Sequence, residues 1–150
     1  NSFTFGVTTS DSLILAGGTS ISAPSDERYK EEITTSTAGL SFINDLRPVT
    51  FKWKKEKDIP SDHRSFVEGS ETRVMCSNGE TNHGFIAQEV KAAIDAHSEI
   101  QDGFKMWSAD PIDGRQRVGE ASLVPILVKA IQEQNALIEA LTARVTTLEG

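Results

Sequence analysis

The strongest constraint on this chain lies near its end. Val124, Ile131, Ile138 and Val145 recur at every seventh residue, and Leu127, Gln134, Leu141 and Leu148 follow each by three. That is an a and d heptad pattern over about 25 residues, with Gln134 its single polar member. Such a stretch folds as one long helix, and its apolar seam has to be covered. Pro125 fits the first turn, where a missing N–H costs little. The seam alone leaves the covering partner open. β-Branched residues at a with leucine at d favour two strands. Val128, Ala130 and Leu137 widen the stripe, which suits three or more helices, or packing on the chain's own domain.

The stretch ahead of this helix has ordinary domain patterning. With 150 residues, 37% of them hydrophobic, the chain has material for one modest core. Leu40, Ile43 and Leu46 recur every third residue, and Arg47-Pro48 ends that short helix. Val49, Phe51 and Trp53 alternate with polar neighbours, as in a half-buried strand. Residues 54–72 read as an insertion that opens on a charge run, Lys54 to Asp58. Val74-Met75-Cys76 is a strand candidate, Asn78-Gly79 a hairpin turn, and Gly84-Phe85-Ile86 the return strand. Ile86, Val90 and Ile94 mark a helix running to about His97. Phe104, Met106 and Trp107 point to a further strand, with Asp113-Gly114 as its turn and Val118 on the return.

Residues 1–24 differ in character. Phe3, Phe5 and Val7 alternate, and Leu13-Ile14-Leu15 precedes the turn signal Gly17-Gly18. This segment is too short and too polar to make its own core. It reads as a linker, or as the last rungs of an intertwined β-stalk. Asn1 is not a natural start, so a longer parent protein is expected.

Several function classes lack their signatures. A net charge of −7 argues against a duplex-binding surface, so no nucleic-acid partner is expected. No apolar run reaches the ~18 residues of a spanning helix, and the N-terminus is not a signal peptide, so no membrane partner is expected. A single cysteine, Cys76, forms no internal disulfide. His63, His83, His97 and Cys76 lack metal-ligand spacing, and no cofactor or metal is implied. Neither a Gly-x-Ser-x-Gly elbow nor a phosphate loop is present. His83 reads as a structural hydrogen-bonding residue.

What stands out chemically is the seam Ala23-Pro24-Ser25-Asp26-Glu27-Arg28-Tyr29-Lys30. Pro24 pushes Ala23 towards an extended conformation, the shape in which a peptide bond is usually cut. A serine hydroxyl becomes a nucleophile when a base takes its proton, and a neutral lysine can be that base. Spacing by itself does not separate this from Ser25 as a helix N-cap with Lys30 on the surface.

Four blocks of sequence separate the two. Ser25 to Ile33, Leu46 to Trp53, His83 to Val90 and Leu123 to Ile131 occur in this order. Together they resemble the C-terminal intramolecular chaperone domain of phage tailspikes and tail fibres, of the endosialidase type, to which the myelin regulatory factor domain is related. The resemblance implies an α+β fold: a small mixed globular part (25–121), then a long coiled-coil helix (122–150), after a β-stalk remnant of the parent fibre (1–24). It implies a homotrimer whose partners are its own copies and the upstream β-fibre. It places the protein in a virion tail-fibre precursor made in the host cytoplasm, the chaperone being released after cleavage.

The resemblance also implies a serine endopeptidase acting once, in cis. Ser25 matches the family's nucleophile, Lys30 its general base, and Pro24–Ser25 the bond cut. A lysine of ordinary pKa about 10.4 must come down by roughly 2–3 units to act as base near neutrality. Desolvation can do this, helped by Arg28. Asp26, Glu27, Glu31 and Glu32 oppose it, unless they point away or find cationic partners. Arg28, His83 and Gln88 are the candidate supporting residues. Two other readings stay open: a trimerising fibre terminus that never cleaves, and a processing domain of a membrane-tethered transcription factor.

Overall fold

The computed structural model describes residues 2–4, 13–15, 23–75, 79–100 and 104–149. Phe5, Val7, Gly17-Gly18, Cys76 and Asn78, all named above, lie outside them. The chain forms two compact units, Asn1–Thr35 and Ser36–Gly150.

In the first unit, β1 (Ser2–Thr4) pairs antiparallel with β2 (Leu13–Leu15), Phe3 opposite Ile14. A single 3-10 turn, Glu27–Tyr29, follows.

In the second unit, α1 (Leu40–Asp45) packs between α2 (Ala87–Ala96) and α3 (Val124–Glu149). The mixture of short two-stranded sheets with a long final helix is the α+β character expected from sequence. The expected face of α1 needs one correction. Ile43 and Leu46 only pack against the core, whereas Phe42 is wholly buried at its centre. Its ring meets Phe104 and His97 edge-on, with centroids 5.8 and 5.4 Å away. Burying such a ring contributes about 1.5–3 kcal/mol. On α2, Val90, Ala93 and Ile94 complete the core from the predicted apolar face.

β3 (Val49–Phe51) pairs antiparallel with β4 (Asn82–Gly84), Thr50 opposite His83. The return strand therefore has a different partner from the one expected. Val74 and Met75 form no strand. Instead a lone bridge joins Lys55 to Arg73, so the 54–72 insertion is a loop zipped at its neck. Glu56 N donates to Thr72 O and Val74 N to Lys54 O, at 2.8 and 3.0 Å. Trp53 lies beyond the strand but keeps its ring on Phe51, edge-on at 5.1 Å. The second hairpin is present, but its first strand starts later than expected, with Phe104 and Met106 ahead of it: β5 (Trp107–Ala109) and β6 (Gln116–Val118) flank a turn at Gly114, whose φ of +68° suits glycine.

α3 begins on a 3-10 turn, Glu120–Leu123, with Pro125 in its first turn. The domain holds it through Ile126 and Ala130, which are buried. The a and d residues lie on another stripe and are exposed in the chain, from Val124 and Leu127 to Val145 and Leu148. Among the described residues no helix is long and apolar enough to cross a membrane.

Candidate functional site

The seam folds around Asp26. Its backbone is extended, and its carboxylate accepts from Arg28 N at 2.9 Å, which caps the turn that follows. Tyr29 N then donates to Asp26 O at 3.1 Å, and Lys30 N to Glu27 O at 3.0 Å. Ser25 is thus not the cap; that role falls to its neighbour, and the Ser25 side chain stays free for another partner. An aspartate just ahead of a charged turn is the sequence signal that would have found it.

This turn shortens the path between residues 25 and 30. Lys30 leaves it with extended backbone, φ −123° and ψ 146°. Its Nζ donates to Ser25 Oγ at 2.8 Å. Both residues, and Pro24 before them, are exposed. A charged lysine donates along this line. A neutral one accepts along it, drawing the proton from the hydroxyl, so the same contact serves base catalysis.

Arg28 is engaged elsewhere. Its guanidinium forks onto Asp26, with Nε 3.0 Å from Oδ1 and Nη2 2.5 Å from Oδ2. The guanidinium holds the Asp26 carboxyl below its usual range, and the carboxylate in turn raises Arg28. One of the four opposing carboxylates is thereby matched with a cation. Arg28 acts here by shaping the turn. Four residues on, Glu32 takes a left-handed φ of 53°, costing a non-glycine residue about 1–2 kcal/mol.

His83 and Gln88 belong to the Ser36–Gly150 unit. His83 is exposed on β4, and Gln88 is exposed in the first turn of α2. Neither side chain makes a hydrogen bond among the described residues. The structural histidine is His97 instead, which has no local sequence mark. Its Nε2 lies 2.8 Å from Asp45 Oδ2 and its Nδ1 2.8 Å from Glu99 Oε1. Those two carboxylates, Asp45 foremost, raise its pKa.

A protein-family model described as the chaperone of endosialidase, Peptidase_S74, matches residues 25–99. Its first matched residue is Ser25. The span takes in three of the four blocks that carried the resemblance; the block at 123–131 lies beyond it. No curated protein matches the chain.

Proposed function

Because this chain belongs to the chaperone of endosialidase family, half of its length being matched, we propose that it is the carboxy-terminal chaperone of a phage tail fibre or tailspike. It trimerises, helps the β-fibre upstream to fold, and then releases itself by cutting Pro24–Ser25. The family name marks a peptidase, and one observation carries the assignment of the chemistry. The hydroxyl at the first matched residue lies 2.8 Å from a lysine amine.

The reaction runs within the chain. Ser25 Oγ attacks the Pro24 carbonyl carbon while its proton passes to Lys30 Nζ. The C–N bond to Ser25 breaks, and the lysine returns the proton to the departing Ser25 nitrogen. Pro24 is then held as an ester on Ser25 Oγ. Water hydrolyses the ester, leaving a Pro24 carboxylate and a free Ser25 N-terminus. Nucleophile and target are neighbours in the chain, so the alignment costs little entropy. The single chain leaves Lys30 in solvent. Burial of the seam on assembly is what favours the neutral amine, and cleavage thereby reports that folding is complete.

α3 supplies the means of assembly. Its exposed a and d stripe fits a coiled coil with two further copies. On this reading, mass spectrometry of the full parent protein finds a fragment that begins at Ser25. Ser25→Ala and Lys30→Ala each slow its appearance by 100-fold or more, leaving a full-length trimer. Normal cleavage in either variant overturns the dyad. The exposure of both side chains favours a second reading, a trimerising terminus that stays attached; a trimeric wild type with no Ser25 N-terminus would select it.

A further inference from the structure

A cavity of about 300 Å³ opens on the Ser36–Gly150 unit between the end of β3 and the neck of the 54–72 loop. Trp53, Ile59 and Val74 make it apolar, and Lys52, Lys54 and Arg115 stand around it. These cations differ from their neighbours. Lys55 and Lys57 are both taken by Glu71, and Arg64 and Arg117 by Asp110. Lys52 and Lys54 have no side-chain partner among the described residues, and the Arg115 guanidinium meets only the Ser65 hydroxyl, at 3.2 Å. On a chain of net charge −7 this is an apolar hollow with unmatched positive charge. Its complement is an apolar side chain with carboxylates close by.

The Asn1–Thr35 unit displays such a segment. Tyr29 is 81% exposed and Ile33 62%, and Glu31 and Glu32 lie between them with no side-chain partner among the described residues. The Lys30 amine is held on Ser25 Oγ, whereas Tyr29 and Glu31 on either side of it are exposed. Lys30 can therefore hold Ser25 while its neighbours bind elsewhere.

We propose that this cavity in one copy receives the segment 29–33 of a second copy, with Tyr29 as the apolar anchor and Glu31 and Glu32 on Lys52, Lys54 and Arg115. The contact rests on the chaperone reading for its purpose. It draws two carboxylates away from Lys30 and covers the seam, as a neutral amine requires, and it makes cleavage in one copy wait for the next.

The test needs no cleavage. Two tagged forms of the full chain are co-expressed, both Ser25→Ala. One carries the photo-crosslinker p-benzoylphenylalanine in place of Tyr29. Illumination is expected to give a product bearing both tags, with the link mapped to residues 52–60 or Val74. Lys52→Glu with Lys54→Glu in the receiving copy lowers its yield at least tenfold. Glu31→Lys with Glu32→Lys in the donor copy restores it, which excludes misfolding as the cause. Links confined to one copy, links mapped elsewhere, or a yield indifferent to charge reversal overturn the proposal. None of these outcomes depends on whether Pro24–Ser25 is ever cut, which the N-terminus of the wild type decides separately.

Discussion

Asp110 shows how much a single carboxylate organises at the scale of one residue. Only 7% exposed, it accepts from Ile112 N at 3.0 Å and from the guanidinium groups of Arg64 and Arg117 at 2.5 and 2.7 Å. Arg64 comes from the 54–72 loop and Arg117 from β6, so one side chain ties the loop to the second hairpin. The Ile112 amide first, and then Arg117, bring its pKa down to about 2. A depressed carboxylate contributes its stability above its ordinary 3.8, and that contribution is lost as pH falls towards the folded value. The urea midpoint is therefore expected to fall between about pH 4 and pH 2. Asp110→Asn should lower the midpoint at neutral pH and remove part of that slope; an unchanged slope would contradict the role. The turn Asp113-Gly114 beside it was legible in sequence, being local chemistry. The arginine from the distant loop was not.

At the scale of elements, α1 shows a short helix held entirely by its neighbours. Six residues are far too few to be stable alone. Gly39 offers no side-chain cap, and Leu40 N donates instead to Glu133 Oε2 of α3 at 2.8 Å. A Cβ on Gly39 would lie 2.5 Å from that oxygen, so a side chain there would push Glu133 aside from the Leu40 amide. At the other end Asp45 meets His97, just past α2. A histidine with a raised pKa contributes stability in full below its ordinary 6.5, and loses it as pH rises through the folded value. Thermal unfolding should show a midpoint that declines from about pH 6 upwards, and His97→Gln should flatten the decline. The end of the periodic helix is legible in sequence, but the pairing that makes its histidine structural is not. Asp45 comes from another helix.

The whole molecule turns on the two stripes of α3. Ile126 and Ala130 belong to the domain, whereas Ile138, 59% exposed, belongs to the heptad seam and not to the core. On the trimer proposed above, Ile138→Asp should leave single chains in sedimentation. The fluorescence of Trp53 and Trp107 should still report a folded domain, because Ile138 contributes nothing to its core. Loss of the domain together with the assembly would show that the stripes are not separate. Sequence alone determined the long helix and its proline start, the α2 face and the second hairpin, because periodicity and turn chemistry belong to neighbouring residues. Sequence also marked the seam at Ser25, through four blocks rather than through spacing. Only the tertiary structure decided that β4 pairs with β3, that Phe42 is the centre of the core, and which stripe of α3 the domain takes. Each of these depends on groups brought together by folding, and such contacts leave no period or local pattern along the chain.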